Sequence, residues 1–316
     1  MAMLRSQYPH PARALSLVCV SVVICPPCRT VIASSQVHAL LARMLITLLT
    51  LAATDAGIKE IRMERLLQNF IKLYNQEWST LSERPAFVHM AECAHVAPSK
   101  THGLGLFARE DLDDGTLVSL YPVDALGHAD GYLTHGKANR EHFAGSEKQR
   151  LQTFGWYRVS LSHPSVLRWA KDLWVDANPT LPSRLGWLGH YANDASMIAR
   201  GSDVDEEAIL TYYAAAHELS NCVLIPVGDA APLLGVVSTR PIARGKELLL
   251  SYGHEYWLPN HLPSSAVRQA ANRVFVPRSI QAQSKLRERY REEVGLLERL
   301  LELDRVTRVA TSAEAP

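Results

Sequence analysis

Two stretches far apart in the chain share one layout, and this repetition constrains the fold more than any other feature. Residues 112–121 read LDDGTLVSLY and residues 242–252 read IARGKELLLSY. Each places an apolar residue, two intervening residues, a glycine, an apolar run and then a tyrosine. The segments just before them, LFARE and VVSTRP, pattern as strands leading into a turn. Two strand–turn–strand units of this kind predict a mostly β domain with helices, built from short curled sheets, rather than a parallel α/β sheet.

Around these units the periodicity divides the chain. Thr54-Asp55 offers an N-cap, and Ile58, Ile61, Leu66, Phe70, Leu73, Trp78 and Leu81 recur at helical spacing until Pro85, which predicts a packing helix over 55–85. Residues 86–126 read as short strands with tight turns. Residues 140–173 read as mixed and partly helical, with Trp156, Trp169 and Trp174 in the core. Strand patterning returns at 221–227 and 233–252. Beyond Pro277, Ser279 is expected to cap a long charged helix whose apolar stripe is Leu286, Tyr290, Val294, Leu297 and Leu301. That stripe either packs on its own domain or joins a second copy as a coiled coil.

Composition excludes several classes. The chain is 47% hydrophobic over 316 residues, enough for one substantial core. Lys and Arg number 33 against 32 Asp and Glu, so no global field favours direct nucleic-acid binding. Cys25-Pro-Pro-Cys28 has metal-ligand spacing, but no second pair completes a four-ligand zinc site. His128, His135 and His142 recur every seven residues, yet Gly131 and Gly136 break the helix that would align them. No metal is expected.

The first 54 residues differ from the rest: Arg5, Arg13, Arg29 and Arg43 appear, and no acid precedes Asp55. Ala14–Ile24 and Leu40–Ala53 are apolar but shorter than the ~18–20 residues that span a bilayer. This fits a targeting leader, whether secretory signal, organellar transit peptide or short membrane anchor, with membrane contact through residues 14–53. An extended reading frame with its true start at Met44 or Met63 also fits. A leader favours an organellar or membrane-associated location over a cytoplasmic or nuclear one.

Three further stretches follow in order. THGLGLFARE carries Gly103 and Gly105 around Leu104, without the context of a dinucleotide site. LWVDANPTLPSRLGWLGHYANDAS ends in a run of small and polar residues around Asn193 and Asp194, a poor strand and a poor helix that suits a ligand-facing loop. RGKELLLSYGHEYW runs on as a buried strand and ends at Tyr252 and Gly253, with Tyr256 close behind.

Together these resemble the SET-domain methyltransferases over residues 86–257. HGLGLFA is similar to that family's Gly-x-Gly motif, LVSLYP to its Glu-Tyr strand, WVDA and HYANDAS to its Asp-Ala strand and Asn-His-Ser motif, and GKELLLSYG to its final Tyr-Gly signature. The resemblance implies the β-clip SET fold, in which the Asn193 and Tyr252 segments cross in a pseudoknot. It further implies transfer of a methyl group from S-adenosylmethionine to a protein lysine. His102, Gly103, Leu104, Gly105, Asn193, Asp194 and Tyr252 would then hold the cofactor, Tyr252 would be catalytic, and Tyr121 and Tyr256 would line the substrate channel.

Two departures qualify the resemblance. Asp194 stands where the family has histidine, and no cysteine-rich modules flank the domain, so residues 258–277 are expected to close the channel. The stretch between Ser196 and Asn221 carries Asp203, Asp205, Glu206 and Glu207, and reads as a solvated acidic loop or a lip for a basic peptide. The rival function is a catalytically inactive SET-like module that binds or scaffolds peptides. Within the enzyme reading, a leader favours a non-histone organellar acceptor.

Overall fold

The glycine turns of the repeated units hold the architecture together. In the computed structural model, which describes residues 63–65, 67–68, 71, 85–100, 102–128, 131–144, 157–160, 173–198, 205–227, 233–258 and 261–295, the two units pair with each other. Leu112 and Ile242 exchange backbone hydrogen bonds of 2.8 and 2.9 Å. Gly115 N donates to Ser238 O, and Gly245 N donates reciprocally to Ala108 O. Both glycines have positive φ, 81° and 77°, a turn geometry that a side chain disfavours. The echo in the sequence is thus a local two-fold in the fold. All described residues lie within the unit Gly57–Pro316.

The strands are short and form four small sheets. β1 (Ala94–Pro98) and β2 (Leu104–Ala108) make an antiparallel hairpin. β3 (Leu117–Leu120), β10 (Leu234–Ser238) and β9 (Cys222–Pro226) form an antiparallel sheet in that order. β4 (Ala125–His128), β5 (Gly131–Thr134), β6 (Arg158–Ser160) and β7 (Leu173–Asp176) form another, in the order β5-β4-β7-β6. β8 (Asn193–Asp194) pairs in parallel with β11 (Leu249–Leu250). The described residues thus combine helices with several small sheets, consistent with the mostly β class with helices that the repeated units predict.

Several expectations on local structure are corrected. Pro85–Glu92 is a helix, α1, rather than the start of the strand region. The run after Arg244 is a strand only at Leu249–Leu250; Leu248 and Leu250 are buried, but the segment is held by neighbours rather than by a long ladder. Trp174 is only half-buried, with the Arg158 guanidinium 4.3 Å over its ring, while Trp187 is the fully buried tryptophan among the described residues. α2 spans Gly136–His142.

The expected acidic loop is in large part a helix, α3 (Glu206–Leu219). Asp205 caps it by accepting from Ala208 N at 2.9 Å, and Glu206 and Glu207 sit in its first turn, where the helix dipole favours negative charge. Ile209, Tyr212, Tyr213 and Ala216 form its buried face. After the short α4 (His254–Trp257), the long helix α5 begins at Ser265, capped by Ser264, and runs through Pro277 to Arg289. Ser279 is thus a buried residue inside α5 and not its cap.

Three clusters of buried side chains form the core. The largest joins β3, β4, β7, β9 and β10 to Met63 and Leu67 and to Leu286, Tyr290 and Val294. The described part of the C-terminal stripe is therefore packed inside this domain; Leu297 and Leu301 lie outside the described residues. A second cluster lies under the hairpin and the paired turns, and Tyr252 packs against it. The third joins α3 to α5 through Ile209, Tyr213, Val267 and Val274, with Trp257 at its edge. Residues 1–54, the Cys25–Cys28 pair, Trp156 and Trp169 also fall outside the described residues. Among the described residues no helix is long and apolar enough to cross a membrane, and no cluster of three or more His, Cys, Asp or Glu is placed to hold a metal.

Candidate active site

A two-residue parallel ladder brings the Asn193 and Tyr252 segments together. Asn193 pairs with Leu249 and Asp194 with Leu250, and Ala195 N donates to Leu250 O at 2.8 Å. Beyond the ladder, the Tyr252 hydroxyl donates back to Ala192 O at 2.7 Å. Its one proton is therefore spent on a backbone carbonyl, leaving the oxygen lone pairs as acceptors.

The hairpin turn between β1 and β2 closes the third side. Asn193 Nδ2 donates to Leu104 O at 3.0 Å and to Glu247 Oε1 at 2.9 Å. Glu247 Oε2 accepts from Ser99 Oγ at 3.1 Å, so the carboxylate is itself held. Both amide hydrogens of Asn193 are used, which fixes the orientation of the side chain. Gly105 leaves room for this network: a Cβ there would lie 2.3 Å from Glu247 Oε1 and 3.0 Å from Asn193 Nδ2 and would have to displace both side-chain ends. Gly103 has φ 65° and open space around it, so the turn demands glycine for conformation alone.

These segments surround a cleft of ≈ 450 Å³, within the range for small-molecule sites. Its walls are aromatic: Tyr157, Tyr191, Tyr252, Tyr256 and Trp257. Tyr252 and Tyr256 meet edge to face with centroids 4.7 Å apart, and Tyr256 meets Trp257 in the same way at 5.1 Å. Among the described lining residues no Lys or Arg appears.

The titratable groups reinforce that electrostatic character. Burial pushes His190 down to about 4, so its ring is neutral at physiological pH. Burial, and then the neighbouring Tyr256, raises the Tyr252 phenol well above its ordinary range and keeps it protonated. Asp194 is 3% exposed, and burial lifts its carboxyl to about 6 although Trp257 Nε1 and the Tyr212 hydroxyl both donate to its Oδ2, at 2.9 and 2.8 Å. Its carboxylate is the one acidic side chain among the described lining residues. An aromatic cleft with no competing cation and one carboxylate suits a cationic ligand.

Of the residues singled out from the sequence, His102, Gly103, Leu104, Asn193, Asp194, Tyr252 and Tyr256 line this one cleft. Gly105 lies beside it, against Asn193 and Glu247. Tyr121 is buried, at 5% exposure, and donates to Tyr157 O at 2.6 Å; it is not among the described lining residues. The described lining ends at Trp257, while α5 packs on α3.

Sequence reasoning missed Glu247, Tyr157, His190, Trp257 and Tyr212. Glu247 and Trp257 lie inside the very run that drew attention to Tyr252. Tyr212 had no signal beyond a helical pattern in a stretch read as a loop. Comparison with protein-family models and with curated proteins returns no match.

Proposed function

We propose that the chain is a SET-domain methyltransferase that moves a methyl group from S-adenosylmethionine to a protein lysine. The observation that carries this reading is the parallel pairing of Asn193–Asp194 with Leu249–Leu250. It delivers the Asn193 side chain, the Gly103–Gly105 turn and the Tyr252 hydroxyl to one aromatic cleft. Crossing segments of this kind are what the resemblance to the SET fold leads one to expect.

Bound S-adenosylmethionine supplies a sulfonium cation carrying an electrophilic methyl group. Asn193, the Leu104 backbone and the Trp257 wall would hold it, and no Lys or Arg among the described lining residues would oppose its charge. Free lysine titrates near ~10.4, so removing its proton at neutral pH costs roughly 4–5 kcal/mol. An ammonium ~4 Å from a second cation is repelled by about 4 kcal/mol at an intermediate dielectric. The magnitudes match, so a dry aromatic channel that aims the amine does most of what a strong base would do. Tyr252 supplies wall and acceptor together, because its proton is already donated to Ala192 O.

Calorimetric titration of the purified chain with S-adenosylmethionine tests the proposal. Saturable binding that weakens in Asn193→Ala is expected. A folded chain that takes up none of it overturns the enzyme reading and leaves a peptide-binding scaffold.

A further inference from the structure

We infer that Tyr212, on the helix inserted between the two crossing segments, is a positioning residue that sets the register of Tyr252 against the Asn193 segment. The inference rests on the methyltransferase reading above and adds a residue to it from outside the cleft.

The ladder between the two segments ends at Leu250, so Tyr252 lies beyond it. Gly253, with φ 90°, separates Tyr252 from the short helix α4. Two buried hydroxyls of α3 hold this stretch: Tyr213 accepts from His254 N at 3.2 Å, and Tyr212 serves the residues that flank Tyr252. Tyr212 is 2% exposed, and its hydroxyl proton goes to Asp194 Oδ2 at 2.8 Å. With that proton spent, the oxygen is left to accept, and Gly253 N and Ser251 Oγ lie at 2.9 and 3.2 Å from it.

The residues on either side of Tyr252 are thus tied through Tyr212 to the residue beside Asn193. Asp194 Oδ2 also accepts from Trp257 Nε1 at 2.9 Å, which places a cleft wall on the same anchor. A neutral histidine at position 194 would offer a single ring-nitrogen lone pair where one carboxylate oxygen accepts from both donors, so the departure from the family pattern has a local physical reason. Tyr212 touches none of the reacting groups; it acts through the Ser251 side chain and the Gly253 backbone N–H.

The test uses the full-length chain with labelled S-adenosylmethionine and a methylatable protein extract, with rates expressed per folded molecule. Tyr212→Phe is expected to lower kcat roughly 10- to 100-fold, the scale of a small misplacement of a reacting group, with KM for the cofactor little changed. The double variant Tyr212→Phe/Tyr252→Phe is expected to be no slower than Tyr252→Phe alone, because both act at one hydroxyl. Asp194→Ala keeps Tyr212 but removes its anchor, and reports the same linkage if Tyr212→Phe does not fold; Asp194→Asn, which retains an oxygen acceptor, is expected to keep more of kcat than Asp194→Ala. Variants that lose melting temperature but turn over normally, or a double variant whose losses multiply, overturn the inference. An inactive wild-type chain overturns it together with the methyltransferase reading, whereas an active wild type with unaffected variants overturns this inference alone.

Discussion

Asn193 donates one amide hydrogen to the Leu104 carbonyl and the other to Glu247, so the loop, the hairpin turn and the segment leading to Tyr252 share a single side chain. Removing it in Asn193→Ala strips the Glu247 carboxylate of a donor and should weaken S-adenosylmethionine binding by about 1–3 kcal/mol. Glu247→Ala should weaken binding through the same network, so calorimetry on the double variant should show less than the sum of the two losses. Tyr252→Phe removes one oxygen and keeps the ring. It should lower turnover roughly 10- to 1000-fold, at ~1.36 kcal/mol of lost transition-state stabilisation per tenfold. Its stability cost should stay near the roughly 0.5–1.5 kcal/mol of a single hydrogen bond, here the one to Ala192 O. Turnover and melting temperature measured on one preparation separate a catalytic phenol from a merely structural one.

The segment around Asn193 also carries two titratable groups, buried Asp194 and half-buried His190, whose effects on stability oppose each other. Asp194 titrates at about 6 in the folded chain against an ordinary 3.8, so its contribution is present below 3.8 and is lost as pH rises through about 6. His190 titrates at about 4 against an ordinary 6.5, so its contribution is present above 6.5 and is lost as pH falls through about 4. Each is worth on the order of 3 kcal/mol, and between these limits they offset. Melting curves from neutral pH down to pH ~5 should therefore show Asp194→Asn losing stability on acidification faster than wild type, and His190→Gln losing it more slowly. Parallel slopes in all three chains would contradict the assignment. Neither group's environment was legible in HYANDAS, because Asp194 is met by Tyr212 of α3 and by Trp257, and His190 by Tyr157, all from distant sequence. α3 itself was legible in principle. Asp205, the acids behind it and the apolar residues at Ile209, Tyr213 and Ala216 are a helix start, but four acids in a short stretch were read as solvated loop. Pro277 misled in the opposite direction, since a proline usually ends a helix and here α5 continues through it.

Across the whole molecule, the largest core draws Met63 and Leu67 from one end of the described chain and Leu286, Tyr290 and Val294 from the other. Leu286→Ala should thus destabilise the domain by about 2–5 kcal/mol in denaturant titration, the cost of a buried cavity; a shift under ~0.5 kcal/mol, typical of surface positions, would place the stripe outside the core. The mostly β class with helices followed from the repeated glycine turns, whose reciprocal bonds between Gly115, Ser238, Gly245 and Ala108 explain why the layout recurs. Strand order did not follow from the sequence, and the parallel contact of β8 with β11 was expected from the resemblance alone, because a two-residue ladder leaves no periodicity to read. The central claim is methyl transfer to lysine at the cleft where that contact places Tyr252. The direct measurement is incubation of the purified chain with methyl-labelled S-adenosylmethionine and cell extract, followed by acid hydrolysis and amino-acid analysis of the labelled proteins. The account predicts label in ε-N-methylated lysine with wild type and a large loss with Tyr252→Phe. Absence of label with a folded chain, or label on another residue type, would contradict it.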